Sequence, residues 1–196
     1  KEAEEMFRTA AENNVILLEA MRPVFDPGMD AVKASLNKLG VIRRATLNYC
    51  QYSSRYDSFL QGHEHNIFSK ECSAGALMDI GTYCVHSLLC LFGKPQKVMG
   101  FSDMIRGDID GAGTILAKYP NMIAEVEYST IPNSRIPSEF PGEKGVLLIH
   151  KINCPEDVKI IYNNGTEESV YSRKPENNMK YELKHFIHML HGQEKN

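Results

Sequence analysis

Six short segments rich in β-forming residues lie between Val98 and Tyr171, and this run limits the fold more than any other feature of the sequence. They cover 98–105, 112–119, 122–130, 146–150, 158–162 and 167–171. Pro120-Asn121 and Asn163-Asn164-Gly165 stand between neighbours and supply tight-turn dihedral angles. Strands joined by such turns pair antiparallel, because parallel neighbours need a crossover of a dozen or more residues. Met122, Ala124, Val126 and Tyr128 alternate with Ile123, Glu125, Glu127 and Ser129, so one face of that strand is dry and the other wetter.

Helical spacing accounts for much of the rest. Met29, Val32, Leu36 and Leu39 line one face of a helix, with Gly40 as its stop. Val41 to Tyr52 is again rich in β-formers. A helix from about Ala74 to Phe92 ends in Gly93 and Pro95, and Met179, Leu183, Phe186, Ile187 and Leu190 form a last apolar stripe. The sum predicts an α+β fold: a large, mostly antiparallel sheet with helices on one face. The uncovered face, expected to be apolar, suits a second copy, so a homodimer through the sheet face is expected.

The first residues read differently. Ala3, Met6, Phe7, Ala10 and Ala11 predict a helix that ends at Asn13-Asn14, and Val15-Ile16-Leu17-Leu18 predicts a buried strand. A helix leading into a buried strand is half of a parallel α/β unit. Residues 1–20 are therefore expected to be the tail of another domain, and 21–196 the α+β domain proper.

Composition narrows the partners. The 22 Lys+Arg and 25 Asp+Glu give a net charge of -3, and Arg43-Arg44 and Lys94 to Lys97 are too sparse for a phosphate-binding patch, so nucleic acid is not expected. No stretch reaches the roughly 20 apolar residues of a membrane span. The five cysteines form no tight framework and read as reduced thiols of a cytoplasmic protein. His63, Glu64, His65 and Cys72 lack converging metal-ligand spacing, so no metal site is expected. His185, His188 and His191 read as a solvated helix face.

One constellation can carry chemistry. If Ser73 to His86 is helical, Asp79, Tyr83 and His86 sit at i, i+4 and i+7 and share a face. An acid, a phenol and an imidazole in a row can bind hydroxyl groups and move protons. Free tyrosine titrates near 10, so a phenolic base at neutral pH needs a cation nearby, and no lysine stands close in the sequence. Gly81 inside a helix implies that another group approaches its backbone. The same residues also read as a helix cap and a core tyrosine, and spacing alone leaves both readings open.

The stretch Gly75-Ala-Leu-Met-Asp-Ile-Gly-Thr-Tyr-Cys-Val-His, followed by Leu-Phe-Gly-Lys-Pro-Gln-Lys-Val, resembles the signature helix of the Gfo/Idh/MocA oxidoreductase family. Within that family it is similar to the branch of glucose-fructose oxidoreductase and dimeric dihydrodiol (D-xylose) dehydrogenase. The likeness extends over nearly the whole chain. Ala3-Glu4-Glu5 through Leu18-Glu19-Ala20-Met21 is similar to the stretch after the family's Glu-Lys-Pro motif, and Pro141 to Gly145 resembles one of its sheet turns. The resemblance implies a Rossmann domain upstream that binds NAD or NADP, with residues 1–20 as its last helix and strand. It implies that 21–196 bind a sugar, polyol or diol substrate and form the dimer. It makes Asp79 the catalytic aspartate and Tyr83 the acid–base residue, with His86 as a substrate contact. The family's catalytic lysine would precede Lys1. Val24 stands where the family often has arginine, and Arg22 nearby is the expected substitute for a substrate or cofactor contact. The Gly-x-Gly-x-x-Gly fingerprint is absent: Gly111-Ala112-Gly113 comes nearest and reads as a strand. The expected activity is hydride transfer between NAD(P) and a hydroxyl or carbonyl compound; the alternative is a non-catalytic sugar- or nucleotide-sensing protein of the same fold.

Overall fold

The computed structural model describes residues 2–173 and 177–193. Helix α1 (Glu2–Glu12) leads through an extended segment to a 3-10 turn at Arg22–Phe25. Helix α2 (Pro27–Ser35) follows, and a 3-10 turn at Leu36–Leu39 extends it to Gly40, whose φ of 71° ends the element. Strand β1 (Arg44–Cys50) and a loop with the short α3 (Tyr56–Leu60) come next. A π-helical turn at Leu77–Gly81 then enters α4 (Thr82–Phe92). The remaining elements are β2 (Lys97–Ile105), β3 (Ile109–Lys118), β4 (Ile123–Ser129), β5 (Ser138–Pro141), β6 (Gly145–His150), β7 (Asp157–Tyr162), β8 (Glu167–Ser172) and α5 (Met179–Leu190).

All eight strands form one sheet in the order β2-β3-β4-β1-β5-β6-β7-β8. Every pairing is antiparallel except β1 with β4, which run parallel from Arg44↔Ile123 to Cys50↔Ser129. The expected α+β architecture is therefore present. Leu47, Val126, Phe140, Leu147, Ile149, Val158 and Ile160 are fully buried on the face that α2 and α4 cover, together with Val32, Leu39 and Cys84. The alternation in β4 falls as the sequence indicates, with Ala124, Val126 and Tyr128 inward.

Four expectations are corrected. Val15 to Leu18 form no strand, because no described strand lies beside them to take their backbone hydrogen bonds. The uncovered sheet face is mixed rather than apolar: Thr46, Glu125, Glu127 and Glu139 occupy its middle, and the exposed Met99, Phe101, Leu116 and Ile123 gather toward β2. Arg44 pairs there with Glu125 at 2.6 Å, and Asn48 donates to Glu127 at 2.7 Å. His185 and His188 are half-buried, and the His185 ring lies 4.7 Å from that of Phe25. The 23-residue stretch Lys70–Phe92 has the length and hydropathy of a membrane span, contrary to the reading above; here it starts with a separate 3-10 turn and packs over β4 and β1.

A buried carboxylate ties the ends of this layer together. Asp26 is fully buried and caps α2 by accepting from the Gly28 backbone N–H at 2.9 Å. Its other oxygen accepts from Arg173 at 3.0 Å and from Asn178 at 2.8 Å, which fastens α2 to the segment after β8 and the start of α5.

Candidate active site

The π turn is built by two glycines and two side chains from the sheet. Gly75 has φ of 127°, and a Cβ there would fall 1.9 Å from Asp110 Oδ1. That space lets the Asp110 carboxylate reach in and accept from the Leu77 backbone N–H at 2.7 Å, satisfying a donor at the helix start. Five residues later the Thr82 N–H reaches back to the Leu77 carbonyl, the wide bond of a π turn. Gly81 rests against the ring of Tyr128: a Cβ would lie 2.9 Å from its Cγ. The Tyr128 hydroxyl passes on under β3, where Gly113 leaves it room, to Ser102 Oγ at 3.0 Å. Gly113 thus makes room for a side chain within a strand, and neither it nor Gly111 belongs to a phosphate-binding loop.

Asp79 sits in the middle of the π turn and Tyr83 in the first turn of α4, so their angular relation departs from that of a regular i, i+4 pair. Both still come near the end of β1. The Tyr83 ring meets Tyr49 edge-on, with centroids 5.8 Å apart and planes at 79°. The 3-10 turn brings the Arg22 guanidinium to 6.0 Å from the centre of the Tyr83 ring. The Tyr49 hydroxyl is held above its ordinary range, first by burial and then by Tyr83 and Asp79, while Arg22 pulls it down. Tyr49 therefore senses Tyr83, Arg22 and Asp79 together.

Asp79 is exposed on the π turn, and its carboxyl has no hydrogen bond or ion pair with another described residue. Partial shielding from water raises its pKa, and Arg55 opposes the rise. His86 lies further along the helix and is not among the groups that Tyr49 senses. It is half-buried, its Nδ1 is 3.4 Å from Cys90 Sγ, burial lowers its pKa, and Glu19 works against that. Arg22, Asp79 and Tyr83 thus gather around Tyr49, while His86 faces Cys90 and Glu19.

Reasoning from the sequence missed Tyr49, Asp110 and Tyr128. Gly81 signalled a close approach there without naming what approaches, and Gly75 carried no such reading. A cavity of about 430 Å³ opens beside Tyr49 at the end of β1, lined also by Gln51, Arg135, His150, Asn153 and Cys154. Burial pushes the neighbouring Cys50 thiol up to about 11, which leaves it un-ionised at neutral pH. The loop carrying His63 and His65 packs separately, through Phe59 and Phe68 against Ile109, and among the described residues no three potential ligands converge as a metal site.

Comparison with known proteins gives this geometry a context. Residues 33–148 match the model of the GFO/IDH/MocA C-terminal domain. The chain is 40% identical over 190 residues to scyllo-inositol 2-dehydrogenase (NADP(+)) IolU of Bacillus subtilis, covering 97% of this chain and 58% of that protein. It is 25% identical over 163 residues to mouse trans-1,2-dihydrobenzene-1,2-diol dehydrogenase, covering 81% of this chain and 47% of that one. The fold is shared with KijD10, a 3-ketoreductase from Actinomadura kijaniata solved with NADP and TDP-benzene, at a TM-score of 0.84 and 18% identity, covering 99% of this chain and 60% of that one. The chain thus spans only about half the length of the curated relatives it matches. The match over 33–148, with the glycine-framed helix inside it, shows that the chain belongs to the GFO/IDH/MocA family.

Proposed function

We propose that this chain is the substrate-binding part of an NAD(P)-dependent oxidoreductase acting on a hydroxyl or carbonyl group of a sugar, polyol or diol. The observation that carries this reading is an unengaged carboxylate followed closely by a supported phenol: among the described residues Asp79 makes no hydrogen bond or ion pair, and the Tyr83 ring meets Tyr49 and has the Arg22 guanidinium 6.0 Å from its centre. Tyr83 donates or accepts the proton of the reacting hydroxyl, and Asp79 accepts a hydrogen bond from the substrate and orients it. Arg22, beside the Tyr83 ring, contacts the substrate; His86, further along the helix beside Cys90, is assigned a contact on the resemblance alone. The names of the dehydrogenase relatives support the same chemistry.

NAD(P) supplies the hydride-carrying group of such a reaction. The described residues offer no cradle for its phosphates, since Gly111 and Gly113 are filled by packing from Ile131 and Tyr128. The cofactor is therefore assigned mainly to a Rossmann domain, with residues 1–20 as its last part. Exposed Met6, Phe7 and Val15, and the apolar groove of about 590 Å³ between Ile16–Leu18 and α5, support a neighbouring domain there. The free cysteines are in keeping with a cytoplasmic enzyme.

In the complete enzyme, Tyr83→Phe keeps the ring and removes the hydroxyl. Turnover is expected to fall by roughly 10² to 10⁴ with little change in stability. Unchanged turnover and an unchanged pH profile would remove Tyr83 from the mechanism.

The dimer is proposed through the uncovered sheet face. Its exposed Met99, Phe101, Leu116 and Ile123, beside acidic and basic side chains, support a self-complementary contact. Sedimentation at micromolar concentration should give a dimer; Phe101→Glu should give a monomer, and a wild-type monomer would refute the assignment.

A further inference from the structure

We propose that Tyr49 is a positioning residue that fixes the orientation of the Tyr83 ring, an inference that rests on the reading of Tyr83 as the proton-transfer group. Tyr49 belongs to β1, an inner strand of the sheet that pairs with β4 along its whole length, Tyr49 included. Its parallel partner in the register is Tyr128, the residue on which Gly81 rests. Tyr49 and Tyr128 thus form an aromatic floor beneath the π turn and the first turn of α4, and Tyr83 stands with its ring edge-to-face against Tyr49. A π turn interrupts the regular stacking of helical side chains, so the rotamer of Tyr83 is not set by the helix alone. The contact with Tyr49 and the Arg22 guanidinium near the ring supply that constraint from outside the helix. Aromatic pairs of this geometry shift a two-state population by up to about tenfold. The Tyr49 hydroxyl has only a long contact of 3.4 Å to Gln51 Oε1, so the ring rather than the hydroxyl carries the role.

The test compares Tyr49→Leu and Tyr49→Phe in the complete enzyme, with kcat and KM measured separately. Leucine should lower kcat by about tenfold. KM should stay within about twofold, and phenylalanine should restore kcat. A second readout does not depend on activity: with 3-fluorotyrosine incorporated, the Tyr83 fluorine signal, assigned by its loss in Tyr83→Phe, should be split into two resolved lines in the wild type. It should be averaged or broadened in Tyr49→Leu and recovered in Tyr49→Phe. An unchanged fluorine signal in Tyr49→Leu would overturn the proposal, as would a rise in KM alone or equal losses in both variants. If Tyr83→Phe leaves turnover intact, the catalytic reading of Tyr83 falls, and the fluorine signal still decides whether Tyr49 orients the ring.

Discussion

Two aspartates of this chain are handled in opposite ways. Asp26 is fully buried, and both its oxygens are engaged, by Gly28, Arg173 and Asn178. Asp79 lies at the surface of a glycine-framed turn with no hydrogen bond or ion pair of its own among the described residues. A buried charge is tolerated only when paired and hydrogen-bonded, so the Asp26 site exhausts its carboxylate on the fold. The Asp79 site leaves its carboxylate open to solvent, as the proposed substrate contact requires. The fold uses the hydrogen-bonding capacity of one carboxylate and leaves that of the other unused among the described residues.

That contrast can be broken by substitution. Asp26→Ala strands Arg173, whose side chain is only 9% exposed, and unpins α2 from α5. The expected loss is about 3 to 5 kcal/mol in denaturant unfolding; a loss below about 1 kcal/mol would show that the buried pair is not what joins these elements. Gly81→Ala has a smaller effect with two opposing parts. Alanine favours a helix by about 1 kcal/mol, whereas a Cβ 2.9 Å from the buried Tyr128 ring forces a shift that costs about 1 to 3 kcal/mol. A net destabilisation of about 1 kcal/mol is expected, and a stabilised variant would mean that Tyr128 does not hold the π turn. Asp79→Asn should alter stability least, by under about 0.5 kcal/mol, while lowering turnover of the complete enzyme. The sign follows from the raised pKa of Asp79. The fold disfavours its ionised form, so its contribution is fully present below the ordinary carboxylate value and is lost as pH rises through the raised one. At neutral pH the amide should therefore leave stability unchanged or slightly higher, and a large loss there would place Asp79 in the same class as Asp26.

The sequence made some of this legible and hid the rest for physical reasons. Alternation in β4 was readable because one sheet face is covered and the other is not. β5 was missed because its four residues, Ser138–Pro141, are too few to show a period and end in proline. The parallel pairing of β1 with β4 was missed because it joins strands that are not neighbours in sequence, which no turn signal records. Asp79, Tyr83 and Arg22 were singled out by residue type and by the family resemblance, and the fold brings Arg22 and Tyr83 together. The π turn was invisible, since a pattern read with a period of 3.6 residues does not show where one turn widens. Tyr49 and Tyr128 were missed because they are brought to the site by the sheet from strands distant in sequence.

The parallel contact between β1 and β4 also governs the order in which the molecule can come together. It joins residues 79 positions apart in the chain, as in the bond from Asn48 to Glu127. Closing so long a loop costs chain entropy before any contact repays it, and such pairings form slowly. The turn with Asp79, the helix with Tyr83 and the β2–β3 hairpin all lie inside that loop, and Tyr49 and Tyr128 sit on its two closing strands. A nascent chain that has emerged only as far as Phe92 has the helix that carries Tyr83 and one half of the floor beneath it, Tyr49, but lacks Tyr128. The site and the middle of the sheet are thus one kinetic unit, completed together when the loop closes.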